Sequence, residues 1–381
     1  MAKLKNLLGG VHKVVAIAGF TEGTCAPKDM EFTFTPSLLY MALVKTATEI
    51  CRIPEIKEFI TRSPETNVNV NAMAFAYSQE WISLIKSKVS LLKIPVELQH
   101  QLIQFIRPIS LKIKEWVIIH CRFLLCDSPE VDFQNYLHWK SDGTIDALKT
   151  AASLVQDESV SVSLRYRIAG VYYLMDDAHK LQRSHEEKEE SISQGHRTSS
   201  LYQGFKNMME TNFSSFINFY IFYCENPHAS KEFFSEKHHQ NKRDNLLKLF
   251  LKYSQSNLRV IRFCLSEISA IEHASVFESY SSLVLFSFME WPFQNIFLNV
   301  ADRLWSYITK EEFLNVMVYI YDERIEKGWK DYDYEGLLKE FWLKSPDDFK
   351  NYVRNFSTYP RPIFSKPPFA LEKVILKNNS K

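Results

Sequence analysis

Apolar residues recur at helical spacing along most of the chain. Leu39, Ala42, Leu43, Thr46 and Ile50 fall at i, i+3, i+4, i+7 and i+11, which places them on one face of an α-helix. Thr35-Pro36 precedes them, and a threonine cap followed by proline predicts a helix start there. Ser128-Pro129, Asn226-Pro227 and Ser345-Pro346 repeat that signal. Thr309 and Glu312 have the spacing of a capping box ahead of Phe313, Val316, Met317 and Ile320. Leu246, Leu249, Phe250 and Tyr253 mark one helical face, and Leu258, Ile261, Leu265 and Ile268 mark the next, joined by Ser254–Asn257. Helices separated by so short a polar turn pack as antiparallel neighbours. The pattern therefore predicts an all-α chain of stacked antiparallel helix pairs.

The apolar rhythm stops at residues 183–200. There, His185-Glu186-Glu187-Lys188-Glu189-Glu190 gives way to a Ser- and Gly-containing run, which reads as a solvated helix end and loop, or as a linker. The expected organisation is an N-terminal helical region over 1–182, the polar linker over 183–200, and a C-terminal helical region over 201–360. A basic, proline-containing tail over 361–381 follows. A weak internal echo crosses this boundary. Leu124-Leu125-Cys126-Asp127-Ser128-Pro129, Tyr173-Leu174-Met175-Asp176-Asp177-Ala178 and Phe222-Tyr223-Cys224-Glu225-Asn226-Pro227 place their sulfur atoms 49 residues apart. Each reads as an apolar helix end meeting an acid and a cap, and a period of about 40–50 residues is that of helix-pair solenoids. The expected architecture is thus an irregular α-solenoid.

Glycine scarcity supports the same class. The chain has 10 glycines in 381 residues, against an average of about 7%. Four of them, Gly9, Gly10, Gly19 and Gly23, crowd the start. Sheet-rich folds and phosphate loops use glycine for positive-φ turns, and few positions remain for either. The aromatic share of 14% instead suits thick helix–helix packing. A net charge of +1 argues against an overall nucleic-acid binder. The six cysteines, at 25, 51, 121, 126, 224 and 264, are dispersed as buried, reduced thiols would be. No apolar run reaches the ~18 residues of a membrane span; Trp116–Cys126 is interrupted by His120 and Arg122. His12 and Lys13 break the apolar run near the start, so no secretory signal is read and a cytoplasmic location is expected.

No catalytic signature is complete. The dinucleotide and kinase glycine loops, Walker A, G-x-S-x-G and H-E-x-x-H are all missing; His185-Glu186 has Glu189 where a second metal-binding histidine would stand. An all-α enzyme with the layout of a terpene synthase is the alternative reading. Its magnesium motif would need a carboxylate one turn after a paired acid, whereas Asp176-Asp177 is followed by Ala178-His179-Lys180, so the pair reads as a helix cap. Cys224, His228, His238 and His239 have no standard zinc spacing, and Cys121 and Cys126 read as core thiols. His120 and Cys121 are neighbours on a helix and point about 100° apart. Lys231–Lys248 is a mixed run of net charge +2, read as a solvated face. No catalytic residue, cofactor or metal site is therefore assigned.

Leu164-Arg165-Tyr166-Arg167-Ile168-Ala169-Gly170-Val171-Tyr172-Tyr173-Leu174-Met175-Asp176-Asp177 resembles a recurrent unit of divergent α-helical repeat proteins of arthropods, particularly arachnids, ankyrin- or HEAT-like in layout. Arg262-Phe263-Cys264-Leu265 resembles a fragment of it. The ankyrin signature itself does not occur, since Thr35-Pro36 continues as Ser37-Leu38. The resemblance implies a non-enzymatic interaction module with a protein partner.

Overall fold

In the computed structural model, residues 35–61, 78–123, 131–172, 174–190, 258–268 and 270–356 are described. These residues are predominantly α-helical, and their one extended pairing is an isolated antiparallel bridge between Trp139 and Ile145. The chain divides into two compact units, with the break after Tyr253.

The first unit is assembled on one long helix. Helices α1 (Leu38–Cys51), α2 (Pro54–Thr61) and α3 (Gln79–Ser90) all pack against α4 (Val96–Phe123). Helix α1 begins two residues later than the Thr35-Pro36 signal predicts. The Ser37 hydroxyl, not that of Thr35, accepts the Tyr40 N–H at 3.2 Å and caps the helix. Its buried face is also wider than the first pattern. Leu43 and Ile50 are buried as expected, and Val44, Ala47, Thr48 and Cys51 join them because α4 covers that side. Helices α5 (Ala147–Gln156), α6 (Val162–Val171) and α7 (Met175–Glu190) follow, α6 packed on α5 and α7 on α6. Asp146 caps α5 through Lys149 N–H, and Ser161 caps α6 through Leu164 N–H.

One expectation changes here. Met175 opens a helix rather than closing one, and Asp176 and Asp177 lie in its first turn. Carboxylates complement the unpaired N–H groups and positive dipole of that end, so the acids start α7 instead of following the last turn of the helix before it. The polar stretch from Arg183 is helical through Glu190. The rest of the 183–200 linker, Cys126 and Cys224 of the 49-residue echo, the Ser128-Pro129 and Asn226-Pro227 signals, the zinc candidates, Lys231–Lys248 and the 361–381 tail lie outside the described residues.

Cys51 is the cysteine whose surroundings are described. It is fully buried, with Sγ 3.6 Å from Ser110 Oγ. Burial pushes its thiol up to about 12, and the Ser110 hydrogen bond opposes this only in part. Since the thiolate is the nucleophile, Cys51 is expected to resist iodoacetamide at pH 8 until the protein is unfolded. Peptide mapping that finds Cys51 rapidly alkylated in native protein would contradict this placement.

The second unit contains α8 (Leu258–Glu267), α9 (Ala270–Phe288, kinked at Tyr280), α10 (Phe297–Leu304), α11 (Lys310–Tyr319), α12 (Tyr334–Lys344) and α13 (Asp347–Phe356). The Leu258 face is as the sequence predicts, with Ile261, Leu265 and Ile268 buried. So is the capping box: Thr309 Oγ1 accepts Glu312 N–H at 3.2 Å, and Glu312 accepts Thr309 N–H at 2.9 Å. Ser345-Pro346 does precede a helix, α13. Helix α9 packs against α8, α10 and α11, while α10 packs on α12 and α11 on α13. Phe297, Trp305, Phe313, Phe341 and Phe349 meet in that core at ring separations of 5.0–6.2 Å.

Candidate functional site

The first unit carries an open cavity of about 340 Å³ between α1 and the segment leading into α5. That segment, Leu137–Asp146, is a tight reversal. Lys140 N–H donates to the Thr144 carbonyl at 2.8 Å, and Gly143 N–H donates to the Lys140 carbonyl at 3.1 Å. Gly143 has φ +92°, a conformation that a side chain disfavours. The Asp142 carboxylate accepts from both the Thr144 N–H and hydroxyl, at 2.8 and 2.7 Å. Two bonds tie the reversal to α1 and its end: Tyr40 Oη donates to the Asp142 carbonyl at 3.2 Å, and Arg52 Nη2 donates to the Leu137 carbonyl at 3.1 Å. The cavity wall is therefore held at both ends.

Its charged lining is mostly cationic, set beside the apolar Met41, Val44 and Leu137. Lys45 and Arg52 come from α1 and its end, and Lys140, His138 and the half-buried Trp139 come from the reversal; Glu49 is the one carboxylate among them. Arg52 holds Glu49 at 2.8 Å. His138 meets Ser153 Oγ at 2.7 Å through Nε2. Lys45 and Lys140 are exposed and form no ion pair among the described residues. None of these residues stands out in the sequence pattern. One signal was available: Asp142-Gly143 between Trp139 and Ile145 is a reversal signature, conspicuous in a glycine-poor chain.

A second polar cluster lies inside the second unit. The π-helical turn Ile320–Ile325 carries Arg324, which is 6% exposed. Its guanidinium donates to Tyr319 Oη at 3.1 Å, pairs with Glu290 at 3.4 Å, and sits 5.0–5.8 Å from the ring centres of Tyr319, Trp329 and Tyr334. Gln294 Nε2 donates to Asp331 and to Tyr334 Oη, each at 3.0 Å. Burial pushes the Tyr334 hydroxyl up, and nearby Asp331 adds to the effect. Burial by itself lowers the Arg324 pKa, but the nearby Tyr334, Tyr319, Glu290 and Asp331 outweigh it and hold the guanidinium protonated. Its own side chain fills this aromatic enclosure, so the cluster reads as a packing element.

Of the residues weighed for chemistry, His120 and Asp177 are engaged within the fold. Both ring nitrogens of His120 are used, Nδ1 toward the Trp116 carbonyl at 2.7 Å and Nε2 toward the Tyr172 hydroxyl. Asp177 accepts from Gln156 at 3.1 Å and lies 3.9 Å from Lys180. Among the described residues, no group of three His, Cys, Asp or Glu side chains is arranged to hold a metal, and no helix is long and apolar enough to cross a membrane. Comparison with family models, curated proteins and solved structures finds no match.

Proposed function

We propose that this chain is a non-enzymatic, cytoplasmic helical-repeat module that binds a protein partner. The carrying observation is the packing order in the second unit. Helix α9 packs on α11, α10 on α12, and α11 on α13. Contacts that skip one helix are what stacked helix pairs produce, first helix on first and second on second. A related signal recurs across the chain: Phe133-Gln134-Asn135 and Phe293-Gln294-Asn295 both fall at 3₁₀ turns that bury the glutamine. The open cavity with two unengaged lysines supplies a surface for a partner, since exposed side chains held on a rigid scaffold are suited to binding. The enzyme alternative gains no support from Asp176-Asp177, whose neighbourhood contains Lys180 and Gln156 in place of a further carboxylate.

The test is photo-cross-linking from a benzophenone amino acid placed at exposed Ser141 in the full chain, in its native cells. Any captured protein is then purified and titrated against the full chain by calorimetry. A saturable complex that leaves the partner chemically unchanged is expected. A captured small molecule, turnover of the captured species, or the absence of any saturable complex would overturn the proposal.

A further inference from the structure

We infer that the cavity between α1 and the 137–146 reversal receives an acidic peptide segment of the partner, with Lys45 and Lys140 meeting its carboxylates and Trp139 taking an apolar or aromatic side chain between them. This rests on the interaction reading above and names the partner's chemistry. Three observations carry it.

The first is charge. Lys45, Arg52 and Lys140 face one carboxylate, Glu49, around the same concavity. Two of the three cations have no ion-pair partner among the described residues. Like charges gathered around a concave surface raise the local potential and attract the opposite charge. The third cation already has a carboxylate: Glu49 sits 2.8 Å from Arg52 Nη1 at the cavity wall. That pair shows that a side-chain carboxylate fits here in charge-assisted contact.

The second is the backbone. A phosphate site is usually built from converging N–H groups on a glycine-rich loop or at a helix N-terminus. In this reversal the N–H groups of His138, Lys140, Gly143, Thr144 and Asp146 donate instead to Thr150, Thr144, Lys140, Asp142 and His138. The charged groups left without an ion pair at the cavity are two flexible ammonium side chains, Lys45 and Lys140. Lysine acts as a point charge on a mobile stem, which suits carboxylates distributed along an extended chain better than one compact phosphate.

The third is size and aromatic lining. About 340 Å³ accepts a side chain and its neighbours rather than a folded surface, being near the lower end for small-ligand sites. Trp139 is half-buried and held by its bridge to Ile145. A half-buried indole on a fixed backbone presents a flat apolar contact at little entropic cost.

The probe is a fluorescein-labelled dodecapeptide with one phenylalanine flanked by two glutamates on each side, compared with the same peptide carrying glutamines. Fluorescence anisotropy with the full chain is expected to give saturable binding that is about tenfold or more tighter for the glutamate peptide. It should weaken severalfold between low and high salt as exposed charges are screened. The double variant Lys45→Glu with Lys140→Glu, at two exposed positions, should weaken the glutamate peptide at least about tenfold. Its circular dichroism should be unchanged, since neither side chain is buried. Trp139→Ala should weaken both peptides, and Trp139→Phe should restore them. Equal affinity for the two peptides, indifference to the lysine reversals, or displacement of the peptide by inorganic phosphate at lower concentration than by free glutamate peptide would overturn the inference. If a protein is captured at Ser141 and purified but acidic peptides do not bind, the acidic-segment inference falls and the interaction reading stands. If neither binds, both fall.

Discussion

Replacing Phe313 with alanine is expected to cost the second unit about 3–5 kcal/mol, the range for deleting a large buried aromatic side chain. Phe313 is fully buried on the first turn of α11. Its ring lies 5.0 Å from that of Phe341, 5.4 Å from Phe349, 6.1 Å from Trp305 and 6.4 Å from Trp342. Those rings come from α12, α13 and the end of α10, so one side chain joins helices that pack across the sequence order. The cavity left behind would be lined by rigid rings that collapse poorly, which favours the upper part of the range. With a whole domain's stability at about 5–15 kcal/mol, this is a large fraction of the total. Urea unfolding followed by near-ultraviolet circular dichroism, which reads the immobilised Trp305 and Trp342, should move to markedly lower denaturant. Phe313→Leu, which fills much of the volume, should lose less. A midpoint shift for Phe313→Ala worth less than about 1 kcal/mol would show that this ring cluster is not what holds the unit together.

The local chemistry of helix ends was legible in the sequence, because it depends on residues three apart. Thr309 and Glu312 form the box that their spacing predicts, and the Leu258 face is buried on the expected side. At α1 the pattern pointed to Thr35, but Ser37 takes the role because its hydroxyl, one residue from the helix, reaches Tyr40 N–H. At Met175 the sequence pattern placed a helix end a few residues too late. The break falls near Tyr172, which ends α6, and the two aspartates then serve the first turn of α7. The cavity was illegible for a different reason. Lys45 sits on the exposed side of α1 and Arg52 just past its end, where lysine and arginine ordinarily only solvate a helix. Their significance comes from a reversal about ninety residues further on, which no periodicity in α1 encodes.

Arg324 is the most extreme case of such concealment. In Tyr321-Asp322-Glu323-Arg324-Ile325-Glu326 it reads as one charge in a solvated run. The chain turns it inward by leaving α-helical register: Glu326 N–H donates to the Tyr321 carbonyl and Trp329 N–H to the Arg324 carbonyl, both across five residues and both at 2.9 Å. Such π turns insert an extra residue and rotate the side chains that follow. Arg324→Ala is expected to destabilise the second unit by about 3–5 kcal/mol, the cost of breaking a buried ion pair on one side. Glu290 and Asp331 would lose their cation, and Tyr319, Trp329 and Tyr334 the group that fills their enclosure. Arg324→Lys should recover only part of this, because an ammonium cannot replace the flat guanidinium that lies near the rings while its Nη2 reaches both Glu290 and Tyr319. Arg324→Met with Glu290→Gln separates the two contributions. It fills the space and removes the opposing carboxylate, so it should be clearly more stable than Arg324→Ala if the stranded charge dominates. Equal destabilisation of the two would assign the effect to the shape of the π turn. A loss below about 1 kcal/mol for Arg324→Ala would mean that water reaches the site and that the guanidinium is not the pin of this core.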